Sequence, residues 1–161
     1  MSAVIEVDYQ VEPGISENIY VPGEQLVTSW IETALRVISY DKPVQVSVCV
    51  VSRQEITTLN DKYRNMNKAT NVLSFPYESM PGVELPLLGD IVVCAEVVNE
   101  EAQQQGKSLQ QHWAHMIVHG TLHLLGYDHI RDTDAQQMES IEVKVLSNLE
   151  FSNPYGEINT P

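Results

Sequence analysis

The chain has 161 residues, a length that suits one domain with its own hydrophobic core. Its 43% hydrophobic and 19% charged residues exclude the compositions that are typical of disordered and fibrous proteins. The formal net charge of -13 argues against nucleic-acid binding through a broadly basic surface, so a polyanionic partner would need a local cluster of Lys and Arg.

The first part of the chain predicts two strands with a helix between them. The strands are expected over residues 4–11 and in the run VQVSVCVV that follows Pro43. The segment VPGEQLVTSWIETALRVISY predicts the helix, because its apolar residues recur with i, i+4 spacing. This apolar stripe comprises Leu26, Val27, Trp30, Ile31, Ala34, Leu35 and Ile38.

The middle of the chain predicts a capped helix, a strand and a loop. Ser52 and Glu55 have the spacing of a capping box, and the helix that they begin is expected to end near Arg64. A third strand is expected over residues 71–75, because Pro76 lacks the amide hydrogen that would extend it. The prolines and glycines of YESMPGVELPLLG predict a loop after that strand.

The last part of the chain predicts one strand and three helices. The strand is expected over residues 90–94, and the helix after it closes at Gly106. Ser108 has the spacing of an N-cap for a histidine-rich helix that runs to Gly126. A final helix is expected over residues 132–149, with an apolar face formed by Met138, Ile141, Val145 and Leu149.

The order of these elements, βαβαββααα, predicts the fold class. We expect a single α+β domain over residues 1–150, with a small mixed sheet of about four strands packed with about five helices. The histidine-rich helix is expected to lie in the core of this domain. Residues 151–161, FSNPYGEINTP, are predicted to form a polar, frayed C-terminal tail.

Nothing in the sequence predicts export or membrane insertion. The N-terminal segment MSAVIEVDYQVEPG has neither a basic start nor an apolar stretch, and no apolar run approaches the length of a bilayer-spanning helix. The two cysteines, Cys49 and Cys94, lie in apolar strand-like runs without CxxC spacing, so we expect buried thiols. These features predict a cytoplasmic protein without a membrane partner.

A local basic stretch lies in the middle of this acidic chain. The sequence KYRNMNKATNVLSFP contains Lys62, Arg64 and Lys68 and no acidic residue. One interpretation is a helix end, where cations interact favourably with the helix dipole. The other is a local site for a polyanion.

Four of the five histidines lie in HMIVHGTLHLLGYDH, residues 115–129. On a helix, residues four apart share a face and are separated by roughly 6 Å along the axis. His115 and His123 are therefore about 12 Å apart and cannot both bind one ion through nitrogen bonds of about 2.1 Å. One adjacent pair can supply two ligands, and a third must come from outside the helix.

The glycine after this helix indicates which pair it is. Gly126 allows a left-handed turn that reverses the chain, and His129 can then return to the site. The predicted ligands are His119, His123 and His129, with His115 one turn away and lining the cleft. The simpler alternative is a set of core or surface histidines with local hydrogen bonds, and we assign His112 to such a structural or surface role. The remaining apolar positions of the helix are expected in the core: Trp113, Met116, Ile117 and Leu124.

The ligand set predicts a catalytic zinc, one per chain. Three nitrogen ligands without a thiolate leave a fourth position for water or substrate, whereas structural zinc is usually closed by four protein ligands. The spacing HxxxHxxGxxH also occurs in metzincin proteases, where a glutamate directly follows the first histidine as general base. Here that position is Gly120, which argues against peptide hydrolysis.

These motifs resemble the YbeY family of bacterial metallo-endoribonucleases. The resemblance covers roughly residues 45–149 and is carried by HGTLHLLGYDH, LNDKYRNMNKATNVLSFP and LPLLGDIVV. It implies a single-strand-specific, zinc-dependent endoribonuclease that acts in 16S rRNA 3′-end maturation and 70S ribosome quality control. It also implies ribosomal RNA and ribosome or small-subunit assembly proteins as partners, and Arg64 as a functional residue. Many members carry Asp at the position of Asn71.

The residues are compatible with this chemistry. Zinc lowers the pKa of bound water and polarises a phosphoryl oxygen, while a guanidinium offers two donors to a phosphate whose charge grows. His115 and Asp128 are candidates for proton transfer or for orienting a ligand, with a turn-capping role favoured for Asp128. A metzincin-like protease and a non-catalytic zinc-containing assembly factor remain as alternatives.

Overall fold

The observed elements follow the predicted order. The computed structural model describes residues 4–15, 19–77, 86–128 and 130–155. No helix in these ranges is long and apolar enough to cross a membrane. The elements are β1 (Ile5–Val11), α1 (Glu24–Val37), β2 (Val44–Val51), α2 (Arg53–Arg64), β3 (Val72–Pro76), β4 (Leu87–Cys94), α3 (Ala95–Gln105), α4 (Leu109–Leu124) and α5 (Asp132–Asn148).

The four strands form one mixed sheet in the order β1-β2-β4-β3. Strand β2 is parallel to both β1 and β4, whereas β3 is an antiparallel edge strand next to β4. Helices α1, α4 and α5 contact one another, and α4 also contacts α3, β3 and β4. The prediction of a single α+β domain with a small mixed sheet is confirmed.

Two serine caps begin helices that carry residues of the site. The Ser52 hydroxyl accepts a hydrogen bond from the Glu55 amide at 3.2 Å, which satisfies a free N–H of the first turn of α2. In α4 the Ser108 hydroxyl accepts from the Gln111 amide at 3.0 Å. Both caps lie where the sequence predicted them. The Ser108 cap sets where α4 begins and therefore where the histidines fall along it.

Helix α4 lies in the core. Residues on several sides of it are almost fully buried, which is the burial expected of a central helix. The apolar positions predicted for the core are all buried: Trp113, Met116, Ile117 and Leu124. Helix α2 packs against the opposite face of the sheet, where Ile56, Leu73, Val92 and Cys94 form a second apolar cluster. The histidines of α4 therefore stand on a rigid support.

Strand β4 begins earlier than predicted. Residues 87–89 were expected in a loop, but Gly89 pairs with Pro76 and belongs to the strand. Gly89 has φ 145°, and a Cβ there would lie 2.4 Å from the Phe75 carbonyl oxygen, so the two strands approach too closely for a side chain. Pro76 is tolerated because it ends an edge strand. Residues 78–85 of the predicted loop lie outside the described residues.

The expected burial is found for one cysteine. Cys94 is buried, as predicted, but Cys49 is only half-buried. The burial pattern of β2 alternates along the strand, and Cys49 falls on its less covered face. Gln45 and Ser47 lie on the same face as Cys49, so the sequence already carried the signal for this less covered face.

The start of the predicted tail is ordered against α4. Gln111 Nε2 donates a hydrogen bond to the Ser152 hydroxyl at 3.0 Å. Lys107 Nζ donates to the Pro154 carbonyl oxygen at 2.9 Å, and Pro154 is buried. These contacts hold Ser152 and Pro154 beside the start of α4. Residues 156–161 lie outside the described residues, and the fraying of the tail stays a prediction.

Candidate functional site

Two histidines of α4 project into one cleft. His119 and His123 are one helical turn apart, and their Nε2 atoms approach to 3.1 Å. Two nitrogens that each lie about 2.1 Å from one tetrahedral zinc are roughly 3.4 Å apart. The observed separation therefore suits two ligands of one ion, which is the pair that the sequence predicted.

The turn after α4 has the conformation expected from Gly126. Its φ is 99°, in the region that favours glycine. The Gly126 amide donates to the His123 carbonyl at 3.1 Å, and the Tyr127 amide donates to the Leu122 carbonyl at 3.0 Å. These two bonds form a Schellman motif, which reverses the chain directly after His123.

The third predicted ligand, His129, lies outside the described residues. Its two neighbours are described: the Ile130 amide donates to Asp128 Oδ1 at 3.1 Å. This bond spans position 129 and gives Asp128 a turn-capping contact. Within the described ranges, no three His, Cys, Asp or Glu side chains are grouped to hold a metal.

Replacing Gly126 by alanine should weaken the predicted zinc site about tenfold, because a Cβ disfavours the positive φ with which the chain reverses after His123. The strain should also cost about 1–2 kcal/mol of unfolding free energy. Gly106, at the end of α3, is the matched control: it also has positive φ, and no atom of the described residues lies within 4 Å of a new Cβ at either position. Gly106→Ala should lose similar stability in a denaturant titration but keep its zinc affinity. Equal zinc affinity in both variants would contradict the role of the turn.

A buried carboxylate lies behind the histidines. Glu142 of α5 has 0% exposure, and its Oε2 is 2.6 Å from His119 Nδ1. Its Oε1 is 3.0 Å from His115 Nε2. Burial acts to raise the pKa of Glu142, but the hydrogen bonds from His115 and His119 outweigh it and lower the pKa to about 2. Glu142 is therefore ionised at neutral pH.

The contact with Glu142 fixes the tautomer of His119. A carboxylate only accepts hydrogen bonds, so His119 Nδ1 carries the hydrogen and Nε2 directs its lone pair toward His123. Metal-ligating histidines commonly donate their second ring N–H to a carboxylate in this way. The donor chemistry of the site therefore fits a metal.

Sequence reasoning missed Glu142, although a signal was present. Met138, Glu142 and Val145 follow one another at helical spacing, and all three are buried. An acidic residue on an otherwise apolar helix face needs a buried partner, because an isolated buried charge is costly. The partner could not be read from α5 alone, since it lies on α4.

His115 is buried and does not line the cleft, contrary to the expectation. It is 7% exposed, and its Nε2 also lies 3.2 Å from the hydroxyl of Tyr155. The Tyr155 hydroxyl donates to Glu142 Oε1 as well, so the tail closes over this buried cluster. Burial lowers the pKa of His115, although Glu142 acts in the opposite direction. These contacts favour a supporting role for His115.

The cleft joins the histidine pair to the basic stretch. It has a volume of about 520 Å³ and combines parts of α2, β3 and α4. None of the described residues that line it is acidic. We call it the histidine–arginine cleft; its lining includes Tyr63, Arg64, Asn71, Phe75, His119 and His123.

Arg64 reaches this cleft because α2 ends there. It is the last residue of the helix, and Asn65 adopts the left-handed conformation with φ 58° that ends it. Arg64 is exposed and lines this cleft. A cation that only interacts with the helix dipole would not need to face any particular site. The basic stretch and the histidine motif, separate in sequence, therefore meet in one cleft.

Asn71 at the rim is held by hydrogen bonds. Its Nδ2 donates to Glu101 Oε1 at 3.1 Å, and its Oδ1 accepts from the Val72 amide at 2.6 Å. Glu101 also lies 2.8 Å from Nε2 of His112, which is buried. Burial acts to raise the pKa of Glu101, but the bonds from His112 and Asn71 lower it overall. His112 therefore has a structural role, one of the two roles expected for it.

Gly120 faces the sheet. A Cβ at this position would lie 3.0 Å from Ile91 Cγ2 and 3.2 Å from the Ser74 hydroxyl oxygen. A Cβ here would require the Ile91 or Ser74 side chain to shift by a few tenths of an ångström. The position that carries the general base in metzincins thus faces the packed sheet in this fold.

The fold and site define a small single-domain α+β protein in which paired imidazoles and a guanidinium share one cleft. The sequence model of a family described as Endoribonuclease YbeY matches residues 16–150, and the chain belongs to this family. The resemblance seen in the sequence is thereby confirmed. Among solved structures, the chain is similar to the solution structure of TM1509 from Thermotoga maritima. The two are 26% identical with a TM-score of 0.55, and the match covers 96% of this chain and 99% of the other.

Proposed function

We propose that the chain is a zinc-dependent, single-strand-specific endoribonuclease of the cytoplasm. It acts in 16S rRNA 3′-end maturation and in 70S ribosome quality control. The observation that carries the proposal is the histidine–arginine cleft, where Arg64 lies with His119 and His123 in an acid-free lining. Membership of a family described as endoribonucleases supports the same activity.

The metal would be held by His119, His123 and His129, one zinc per chain. The 3.1 Å separation of the first two Nε2 atoms and the reversal at Gly126 support this assignment. A zinc ion in such a site lowers the pKa of water and polarises a phosphoryl oxygen. Glu142 holds His119 in the tautomer that ligation needs.

Arg64 acts on the phosphate. A guanidinium offers two parallel donors to phosphate oxygens, and these bonds strengthen as negative charge develops during cleavage. Arg64 therefore binds the scissile phosphate and stabilises its growing charge. The lining of the cleft supports this role, because none of its described residues has a carboxylate that would compete for the guanidinium.

His115 and Asp128 support the site instead of touching the RNA. His115 bonds to Glu142, and Glu142 in turn bonds to His119, so His115 helps to hold the carboxylate in place. Asp128 caps the turn at position 129. We therefore assign both residues to positioning and leave proton transfer to water.

The net charge of -13 limits how the RNA is recruited. A few local cations give weak binding of isolated RNA, because affinity for phosphates grows with the number of Lys and Arg contacts. Ribosomal or small-subunit assembly proteins would supply the remaining affinity. The acidic surface favours basic partners of this kind.

The proposed function is tested with purified protein and defined RNA. The zinc-loaded chain should cleave single-stranded RNA, lose this activity with a chelator, and regain it when zinc is restored. RNA of the same composition held in a duplex should be resistant. A metzincin-like protease would instead cleave an unfolded protein substrate, and an assembly factor without catalysis would cleave neither. Either result would contradict the proposal.

Glu142→Gln should weaken zinc binding about 10–100-fold, the range typical for the loss of a partner that orients a ligand. The amide keeps the size of the side chain but removes the charge that accepts from both His115 and His119. Competition with a zinc-binding dye measures the affinity. Glu139→Gln, an exposed position on the same helix, should bind zinc like the wild type. Unchanged affinity in Glu142→Gln would remove Glu142 from the site.

A further inference from the structure

We propose that Tyr63 and Phe75 form a stacking site for an unpaired base of single-stranded RNA, next to the phosphate that Arg64 contacts. The inference rests on the proposed function and adds the feature that would select unpaired RNA. Neither aromatic residue belongs to the metal site. Both line the histidine–arginine cleft.

The two rings form an exposed aromatic corner. Tyr63 is 57% exposed although it is large and aromatic. Its ring centroid lies 5.2 Å from that of Phe75, and the ring planes meet at 65°, an edge-to-face arrangement. Phe75 packs in turn on the apolar cluster under α2, which keeps the corner in place. A flat ligand can therefore lie on one ring and against the other.

The charges around this corner identify its occupant. Lys62 Nζ lies 5.1 Å from the centre of the Tyr63 ring, and Arg64 is the next residue along the chain. Both cations belong to the stretch from Lys62 to Pro76, which contains no acidic residue. Aromatic rings interleaved with cations are the features with which proteins bind single-stranded nucleic acid. An apolar partner would gain nothing from the cations.

The corner also accounts for the choice of unpaired RNA. A base in a duplex is already stacked on both faces, whereas an unpaired base can place its face on an aromatic ring. Tyr63 and Arg64 are adjacent, so one nucleotide can present its base to the ring and its phosphate to the guanidinium. An unpaired base stacked on Tyr63 would therefore position the reacting phosphate, and a base paired in a duplex could not do so.

The test uses binding without cleavage. Zinc-loaded wild type and variants are titrated with a short single-stranded oligonucleotide that carries 2′-O-methyl groups, and with the same backbone without bases. Tyr63→Ala should weaken binding of the oligonucleotide about tenfold, within the range for one stacked base. Tyr63→Phe should bind like the wild type. The affinity for the backbone without bases should be the same in all three proteins.

Two controls separate stacking from structure. Tyr77→Ala removes another exposed tyrosine, which lines a different hollow of the surface, and should bind like the wild type. Tyr63→Leu keeps an apolar contact with Phe75 but has no aromatic face, so it should bind as weakly as Tyr63→Ala while unfolding at the wild-type temperature. A stacking role predicts this pattern, whereas a purely structural role predicts changes in unfolding only.

Three results would overturn the inference. Wild-type affinity in Tyr63→Ala would exclude a stacked base, while the proposed nuclease activity would stand. An equal loss on the backbone without bases would assign Tyr63 to another contact, including one with a protein. Failure of the wild type to bind or cleave any single-stranded RNA would overturn the proposed function and this inference together.

Discussion

His119→Ala, His123→Ala and His129→Ala should each lose most of the one zinc per chain that we propose for the wild type. Each removes one of three nitrogen ligands, so the affinity should fall by at least about a hundredfold, beyond the effect of losing an orienting partner. Elemental analysis after dialysis against a weak chelator measures the zinc that remains. Thermal unfolding of the metal-free proteins shows whether the variants fold.

The control for this series is another histidine of the same helix. His112 is buried against Glu101 and belongs to no part of the cleft lining, so His112→Gln should keep its zinc. His115→Ala should lose less than the three ligand variants, because His115 is not a proposed ligand and acts on His119 through Glu142. If His129→Ala still bound one zinc and His115→Ala bound none, the ligand set predicted from the chain reversal at Gly126 would be wrong.

Elements with strong local signals were predicted closely from the sequence. The second strand was predicted as VQVSVCVV and observed over the same residues, because its alternating residues lie between Pro43 and the Ser52 helix cap. The caps at Ser52 and Ser108 and the turn at Gly126 also depend on neighbouring residues alone. Such features need no knowledge of the rest of the fold.

Features that depend on distant partners were not predicted. Residues 87–89 became a strand because β3 pairs with them, although glycine and proline locally favour a loop. Glu142 was missed because its partners are on another helix, and His115 was placed in the cleft because it shares a helix face with His119. Helical spacing predicts on which face of a helix a side chain lies, but only tertiary packing determines which residues cover that face.

Arg64→Ala should retain its zinc and its fold but cleave single-stranded RNA about a hundredfold more slowly. A permanently charged guanidinium has no lone pair for a metal, and Arg64 is exposed at the end of α2, so neither zinc content nor stability depends on it. The cleavage rate should fall because the transition state loses the contact with the guanidinium. Removing one donor that binds a developing charge typically costs on the order of 3 kcal/mol, which corresponds to the expected change in rate. Single-turnover cleavage by zinc-loaded protein measures it.

Two comparisons distinguish a phosphate contact from a general effect of charge. Arg64→Lys should recover only part of the rate, because an ammonium supplies the charge without the planar pair of donors. Arg36→Ala removes an exposed arginine from α1, outside the cleft lining, and should cleave RNA like the wild type. If Arg64 only interacts with the end of its helix, zinc-loaded Arg64→Ala will instead cleave RNA at the wild-type rate. That outcome would remove Arg64 from the active site and leave the proposed histidine ligands unaffected, because their geometry depends on α4 and the turn at Gly126.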